Sequence, residues 1–295
     1  MPTPIIQTES LTKEYAGFRA LDALNLRIEP GEVYGLLGPN GSGKSTAIRL
    51  MLGFLRPTSG RARINGYDCW NDSVSARRQM TYLPGELRLY ESMTGRHIVR
   101  FLAELRGDVF TSEVDVLARR LDIDIDRPLT QMSSGMKRKV ALLTVLLPRV
   151  PLIILDEPTN TLDPTMRDEL LDQLLLAKQR GQAVLFSSHV LSEVERVCDR
   201  VGILRRGVLV HQQSMSELRD GRHVRALLRK LPRLGPNGEP LAPTELNAAG
   251  DLRLDYRGPV PSLLRWLEQC DPQDLHIEPM GLTPIYHRFH GSDTR

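Results

Sequence analysis

The stretch GPNGSGKST, from Gly38 to Thr46, combines closely spaced glycines with a lysine and several hydroxyl side chains. Its spacing matches the pattern G-x-x-x-x-G-K-[ST], which binds phosphates. Glycines let backbone N–H groups turn inward around an anion, and a helix that begins near Gly43 directs its positive end at the same charge. A glycine-rich turn is the alternative, but an apolar strand before it and a helix after it favour the phosphate site. The predicted phosphate-binding residues are Gly38, Pro39, Asn40, Gly41, Ser42, Gly43, Lys44, Ser45 and Thr46.

Two pairs of residues predict the chemistry around that phosphate. Lys44 is expected to reach the β- and γ-phosphates, and the Ser45 hydroxyl is expected to ligate Mg²⁺. A second apolar run, LIILDEP, delivers Asp156 to the carboxyl end of a strand, where α/β folds bind ligands. Asp156 can hold Mg²⁺ through water, and the adjacent Glu157 can orient or deprotonate an attacking water. Without the phosphate loop, these two acids fit a surface turn equally well.

The stretch QMSSGMKRKVAL, from Gln131 to Leu142, places small residues where a helix is expected to begin. Ser133 or Ser134 is predicted to cap the helix N-terminus. Gly135 is unfavourable within a helix unless another group approaches its backbone closely. Taken alone, the stretch predicts a capped surface helix.

Alternating strands and helices must position these residues. The runs VYGLLG, LIILD and AVLFSS predict buried parallel strands, and TAIRLMLGFL and DELLDQLLLAKQRG predict the helices between them. This alternation is typical of an α/β fold with a parallel sheet. TGRHIVRFLAELRG and SEVDVLARRL predict an all-helical insert between Tyr90 and Leu121. Beyond the Pro- and Gly-rich segment 232–243, a predicted strand and helix indicate a small α+β domain.

The composition excludes several classes of protein. The chain has 295 residues, of which 41% are hydrophobic and 25% charged, as in ordinary globular proteins. Its net charge of +3 is too small to argue for nucleic acid as a partner. Three unpaired cysteines predict reduced thiols rather than a disulfide framework or a zinc site. The most apolar window, Val140 to Asp156, is interrupted by prolines and falls short of the roughly 20 apolar residues that a membrane helix needs.

Several short motifs follow one another along the chain. Tyr15 lies in LTKEYAGFRAL, and GPNGSGKS, MSSGMKRK and LIILDE follow; TLDP (161–164) and SSH (187–189) come next. In this order they resemble the ATP-binding subunit of an ABC transporter, over about Ile5 to Val210. The resemblance implies a P-loop NTPase core of the ABC ATPase type, with a helical subdomain and ATP and Mg²⁺ as cofactors.

The same resemblance assigns roles within one subunit. Tyr15 corresponds to an aromatic residue that stacks on adenine. Lys44, Glu157 and His189 are the expected catalytic residues, with His189 contacting the γ-phosphate and holding the attacking water. Ser45 and Asp156 are the expected metal ligands.

The resemblance also implies a second copy of the chain. In this family, two ATPase domains close head to tail around two nucleotides, and MSSGMKRK corresponds to the signature segment that faces the partner's γ-phosphate. Ser133, Ser134 and Gly135 are therefore expected to bind ATP held by the second copy. Lys137, Arg138 and Lys139 are interpreted as solvated helix surface, and a nucleotide contact by Lys137 across the dimer is the alternative.

Three positions depart from the family pattern. Ser134 replaces a glycine of the signature segment, and Met136 replaces a glutamine. Gly85, in YLPGELRLY, stands where many members carry the glutamine of the Q-loop, which touches Mg²⁺ or water. The next residue, Glu86, is predicted either to ligate the metal or to be an ordinary loop acid.

Features outside the core motifs resemble ATPase subunits of ABC-2 type exporters. These features are TYLPGE and the ending IEPMGLTPIYHRF, for which the resemblance implies a helix from Glu278 to Phe289. The predicted domains are an ATPase domain at 1–216, with a helical subdomain at about 88–148, and an accessory domain at 217–295. The expected partners are a multi-span membrane permease and a second copy of this chain, which places the protein peripherally on the cytoplasmic face of the membrane.

Two other functional classes share parts of this pattern. A soluble ABC ATPase that acts on nucleic acid or ribosomes is the main alternative, although the chain lacks both a long coiled-coil insert and a second set of motifs. A P-loop kinase or GTPase is the other, but it would lack the signature segment and the histidine after the third apolar run.

Overall fold

The computed structural model describes residues 3–108 and 111–290. Backbone contacts divide the chain into two compact units, residues 1–212 and 213–295. The sequence placed the boundary four residues later, after residue 216. Residues 1–2, 109–110 and 291–295, which the predicted domains include, lie outside the described residues.

The first unit contains two sheets, and one of its strands, β10, extends two residues past the unit boundary. Its strands are β1 (Ile6–Tyr15), β2 (Phe18–Ile28), β3 (Val33–Leu37), β4 (Ser59–Ile64), β5 (Tyr67–Asp68), β6 (Met80–Leu83), β7 (Leu152–Asp156), β8 (Ala183–Ser188), β9 (Arg200–Arg205) and β10 (Val208–Ser214). Its helices are α1 (Lys44–Met51), α2 (Ser73–Arg78), α3 (Gly95–Arg106), α4 (Glu113–Arg120), α5 (Ser134–Leu146), α6 (Pro164–Gln179) and α7 (Leu191–Val197).

A six-stranded sheet in the order β10-β9-β3-β8-β7-β6 forms the centre of this unit. The pairs β9–β3, β3–β8, β8–β7 and β7–β6 are parallel. Every residue of β3, β7 and β8 is buried, because a parallel sheet is covered on both faces. The continuous apolar runs of these strands predicted this arrangement correctly. The parallel register brings Leu37, Asp156 and Ser188 to one edge, with Leu37 opposite Ser188 and Asp156 opposite Ser187.

A second, antiparallel sheet in the order β2-β1-β4-β5 covers one side of the core. Leucines and isoleucines of β1 and β2 pack with α1 in a single apolar cluster, in which Ile6, Leu24, Ile28 and Ile48 have essentially no exposed surface. This packing fixes α1 beneath the carboxyl edge of the parallel sheet, where the phosphate-binding loop leads into it.

Helices α3, α4 and α5 follow one another between β6 and β7, and α3 and α4 are the two helices of the predicted insert. The hydroxyl of Thr94 caps α3 by accepting from the backbone N–H of His97, and Ser133 caps α5 in the same way. The 13-residue α5 buries eight of its residues, so it is a core helix rather than a surface helix.

The second unit is an α+β arrangement. Helix α8 (Met215–Asp220) precedes β11 (Gly221–Leu228), β12 (Asp251–Arg257), α9 (Val260–Gln269), β13 (Pro272–Pro279) and α10 (Leu282–His290). The antiparallel sheet, in the order β12-β11-β13, packs its apolar face on Leu263 and Leu267 of α9. The predicted helix from Glu278 to Phe289 is wrong in its first turn. Glu278 pairs with His223 across β11 and β13, and the helix begins only at Leu282.

None of the described helices combines the length and apolar character that a membrane crossing requires. Cys69, Cys198 and Cys270 are free and buried.

Candidate nucleotide-binding and catalytic site

The loop between β3 and α1 has the conformation of an anion cradle. Gly38, Gly41 and Gly43 have positive φ angles of 156°, 78° and 108°, which side chains other than glycine's rarely allow. A Cβ atom at Gly38 would lie 2.5 Å from the carbonyl oxygen of Leu204, and one at Gly43 would lie 2.8 Å from that of Ala20. The loop therefore requires glycine at 38 and 43 for both torsion and space, and at 41 for torsion alone.

Lys44 and Ser45, which follow these glycines, both point into the site. The Lys44 ammonium is buried and donates to the carbonyl oxygen of Gly38 at 2.6 Å. The Ser45 hydroxyl donates to a carboxylate oxygen of Asp156 at 3.1 Å, and the Ser187 hydroxyl donates to the other at 2.7 Å. The structure thus brings Ser45 and Asp156 together, 111 residues apart in sequence.

Glu157 lies between a lysine and a histidine. One carboxylate oxygen is 3.6 Å from the Lys44 ammonium, and the other is 2.6 Å from Nδ1 of His189. The backbone of Glu157 has a φ of 49°, in the left-handed region, and its N–H donates to the Ser187 hydroxyl at 3.0 Å. Strained backbone of this kind concentrates at functional sites, since the surrounding structure must hold it. The three residues assigned to catalysis therefore converge at the carboxyl ends of β3, β7 and β8.

A buried glutamate on α7 links the loops that follow β7 and β8. One oxygen of Glu193 accepts hydrogen bonds from the hydroxyls of Thr159 and Ser188, both at 3.0 Å. The Ser188 hydroxyl in turn accepts from the backbone N–H of Val190, which fixes the turn that carries His189. Sequence reasoning missed Glu193, and its position one helical turn after the histidine was the available signal.

An open cavity of about 300 Å³ lies over the phosphate-binding loop. Its walls include Glu157 and the exposed ring of Phe18. Tyr15 does not line this cavity; its ring is partly exposed and lies 4.8 Å from the Lys13 ammonium. Tyr15 and Phe18 face each other across the turn between β1 and β2. Phe18 is thus a second aromatic candidate for contact with a base, and an aromatic residue three positions after Tyr15 was its sequence signal.

The signature segment occupies the start of α5. The Ser133 side chain is exposed and accepts from the backbone N–H of Met136 at 3.2 Å, so Ser133 is the helix cap. Ser134 is also exposed. A Cβ atom at Gly135 would lie only 2.9 Å from the carbonyl oxygen of Thr161. The glycine is therefore required by a contact within this chain, with the loop that follows Glu157.

The basic residues after Gly135 do not form the predicted solvated surface. Arg138 is 4% exposed and Lys139 is 9% exposed. Lys139 donates to the carbonyl oxygen of Asp122, and Arg138 donates to that of Gly85 at 2.6 Å. The interpretation was wrong because α5 is buried on several sides, and long cationic side chains can then reach backbone carbonyls. Only Lys137 remains partly exposed, paired with Glu91.

The loop after β6 brings Gly85, but not Glu86, to the predicted metal ligands. A Cβ atom at Gly85 would lie 3.8 Å from a carboxylate oxygen of Asp156. Glu86 is exposed and forms no hydrogen bond with Ser45 or Asp156 within the described residues. Nearby on β6, burial and then the charge of Asp156 raise the pKa of Tyr82 to about 12. Metal ligation by Glu86 stays a prediction from sequence.

Comparisons with known proteins identify this arrangement. A family model described as ABC transporter matches residues 21–160. The bacitracin transport ATP-binding protein BcrA of Enterococcus faecalis is 34% identical over 217 residues, which cover 72% of this chain and 70% of that protein. The chain belongs to the ATP-binding proteins of ABC transporters. The daunorubicin/doxorubicin resistance ATP-binding protein DrrA of Streptomyces peucetius is 33% identical over 74% of this chain and 68% of its own length.

Solved structures agree with this assignment. The structure of an ATP-binding subunit of an ABC transporter, 31% identical, superposes with a TM-score of 0.68 over 73% of this chain and 92% of its own. A dimeric ATP-binding cassette bound to ADP and Pi is 22% identical, with a TM-score of 0.65 over 71% of this chain and 98% of its own, and shows the same fold. The expected P-loop NTPase fold is confirmed. This ABC protein is an ATPase that couples ATP hydrolysis to transport.

Proposed function

We propose that this chain is the ATP-hydrolysing subunit of an ABC exporter and acts as a pair of copies on a separate membrane permease. One observation carries the catalytic part of the proposal. Three separate segments of the chain meet at one sheet edge, where Lys44 and His189 lie within ion-pair or hydrogen-bond distance of Glu157, and Ser45 is hydrogen-bonded to Asp156. No such convergence is needed to stabilise a fold, because charged groups brought together cost desolvation energy.

The residues present fit a nucleotide with a divalent ion. Within the described residues, Ser42 Oγ and Glu157 Oε1 are buried without a hydrogen-bond partner, as expected where a ligand completes the site. The cradle and Lys44 would hold the phosphates. Ser45 and Asp156 would hold Mg²⁺, which is bound through few protein ligands plus phosphates and water, and which neutralises charge on the β- and γ-phosphates when bound.

Glu157 and His189 would handle the attacking water. Glu157 accepts a proton from water as the water oxygen bonds to the γ-phosphorus, and the bond to the bridging oxygen breaks so that ADP leaves with its electron pair. The imidazole of His189, whose Nδ1 lies 2.6 Å from Glu157, orients that carboxylate and is itself exposed. Lys44 stabilises negative charge that develops on the phosphates.

The other half of each site would come from a second copy of the chain. Ser133 and Ser134 are exposed at the N-terminus of the 13-residue α5, where backbone N–H groups and the helix dipole favour an anion. A solved ATP-binding cassette of the same fold, bound to ADP and Pi, is dimeric, which supports the use of two copies. Tyr15 and Phe18 would provide the apolar surface for adenine.

The permease and the direction of transport are inferred from the relatives. Their names connect them with bacitracin transport and with daunorubicin and doxorubicin resistance, for which export is the direct physical route. The chain would therefore sit peripherally on the cytoplasmic face of the membrane, held by the permease. Nucleic acid is not an expected partner.

Purification from native membranes tests this proposal. An affinity-tagged chain, extracted in mild detergent, should carry a multi-span membrane protein at two copies of this chain per assembly, measured by native mass spectrometry. The Lys44→Ala variant should retain the same companion, because Lys44 is buried at the nucleotide site and not at the permease surface. Recovery of the chain without a membrane protein, or with ribosomal or nucleic-acid partners, would overturn the proposal.

A further inference from the structure

Arg138 is an unusual side chain for the interior of α5. It is 4% exposed, and its guanidinium donates to the carbonyl oxygens of Gly85 at 2.6 Å and Pro84 at 3.5 Å. Burial lowers the pKa of Arg138, while the nearby charges of Asp156 and Glu157 act in the opposite direction. A buried guanidinium is costly unless its donors are satisfied, so this position needs a specific reason for the charge.

The segment that Arg138 holds follows β6 and lies beside the predicted metal ligand, because Leu83 at the end of β6 pairs with Leu155, the residue before Asp156. A Cβ atom at Gly85 would lie 3.5 Å from the carbonyl oxygen of Asp156 and 3.8 Å from its carboxylate, both ordinary contact distances. Asp156 is in turn bonded to Ser45. Arg138 therefore connects α5 to the segment that lies beside Asp156, and Asp156 is bonded to the first turn of α1.

Gly85 itself has no side chain with which to bridge this distance. Its backbone carbonyl accepts the shorter of the two hydrogen bonds that Arg138 donates. Because α5 begins with the signature segment, a displacement of the helix start moves Arg138 with it.

We propose that Arg138 is a positioning residue that holds residues 84–85 against Asp156 and so couples the signature helix α5 to the metal-binding carboxylate. The inference rests on the proposed role of Asp156 as a metal ligand. In this inference Arg138 does not contact the substrate, and Arg138 affects hydrolysis only through Gly85.

The helix supplies a matched control in Lys139. This neighbouring cation is also buried and also donates to a backbone carbonyl, that of Asp122 at 3.1 Å, but Asp122 belongs to the segment after α4. Arg138→Met and Lys139→Met thus each remove one buried cation of the same helix together with its hydrogen bonding to backbone carbonyls. Only the first removes the connection to Gly85.

The experiment measures Mn²⁺ binding by electron paramagnetic resonance on the full-length chain with a non-hydrolysable ATP analogue. Arg138→Met should weaken Mn²⁺ affinity about three- to tenfold, less than the roughly 10- to 100-fold that loss of a direct outer-shell partner costs. Affinity for the analogue without metal should stay unchanged, and Arg138→Lys should recover part of the loss. Lys139→Met should lower the melting temperature to a similar degree and leave Mn²⁺ affinity unchanged.

The outcomes separate the inference from the function on which it rests. If Asp156→Asn leaves Mn²⁺ affinity unchanged, the assigned metal ligand is wrong. If Asp156→Asn abolishes Mn²⁺ binding but Arg138→Met and Lys139→Met behave alike, Arg138 is a structural residue and the coupling is refuted. Should Arg138→Met fail to fold, the same comparison is made with Arg138→Lys and Arg138→Gln.

Discussion

Replacing Gly135 by alanine tests whether the start of α5 and the loop after Glu157 must touch for hydrolysis. The added Cβ would lie 2.9 Å from the carbonyl oxygen of Thr161, closer than side-chain carbons ordinarily approach. Thr161 already has a φ of 70°, in the left-handed region, so its backbone has little freedom to yield. We therefore expect the contact to open, which displaces the signature segment from the loop that begins at Glu157.

The magnitude follows from the cost of inserting one methyl group into a packed contact. Overpacking costs about 1–3 kcal/mol. If the closed contact is needed in the transition state, this cost corresponds to about a 5- to 150-fold lower kcat, since about 1.4 kcal/mol is a factor of ten. ATP binding should change little, because the cradle at 38–46 is built from the loop between β3 and α1.

The assay compares Gly135→Ala with Gly95→Ala. A Cβ at Gly95, on α3, would lie 3.0 Å from the carbonyl oxygen of Ile125, so this variant introduces a similar clash in the helical insert. Steady-state ATPase kinetics, binding of a fluorescent ATP analogue and thermal unfolding are measured for both. Both variants should lose stability, but only Gly135→Ala should lose kcat per folded molecule. An unchanged kcat in Gly135→Ala, or an equal loss in Gly95→Ala, would refute the reasoning.

Three further predictions follow from the site. Glu157→Gln should retain ATP binding and lose about 100- to 10,000-fold in ATPase rate, the usual contribution of a general base, whereas Lys44→Ala should weaken ATP binding itself; an undiminished rate in Glu157→Gln would exclude it as the base. Mixing Lys44→Ala with Ser133→Arg, each inactive alone, should restore up to about a quarter of wild-type ATPase activity, since half of randomly mixed dimers contain one intact site; no recovery, with mixed dimers detected by mass spectrometry, would contradict a site shared between two copies that fire independently. Burial raises the pKa of Cys69 to about 12, so the thiol stays neutral to higher pH than usual and only about one molecule in ten thousand is a thiolate at pH 8; rapid alkylation of Cys69 in the native protein, measured by peptide mass spectrometry, would show that its burial is wrong.

The central part of the fold could be predicted from sequence because its signals are local. Each of β3, β7 and β8 is a short continuous apolar run, and such a run is typical of a strand that is buried on both faces. The edge strands β6 and β13 were not predicted. β13 carries mostly exposed residues and is a strand because its backbone pairs with β11, a condition that no local pattern records. For the same reason, Glu278 was assigned to a helix that begins four residues later.

The candidate site also contains residues that the sequence predicts and residues that only the structure reveals. Phosphate and Mg²⁺ chemistry requires particular residue types at fixed spacing, and such patterns can be recognised in the sequence alone. The roles proposed for Lys44, Ser45, Asp156 and Glu157 depend on patterns of this kind. Glu193 and Arg138 carry no such pattern. Each is a charged residue on an otherwise ordinary helix, and its importance depends on which carbonyl or hydroxyl groups from distant segments lie within about 3 Å of it.

The amino-acid sequence by itself determined the phosphate-binding loop, the parallel strands and the family, because glycine torsions, strand burial and the order of the motifs are properties of neighbouring residues. The tertiary structure alone decided that Gly135 touches Thr161, that Phe18 rather than Tyr15 lines the cavity, and that Arg138 points inward at Gly85. The physical reason is that burial and hydrogen bonding of long side chains are set by packing between segments that are far apart in the chain. The basic run KRK near the start of a helix has the same sequence whether that helix is exposed or buried. Only the elements packed around the helix determine which of these cations are buried and therefore need hydrogen-bond partners.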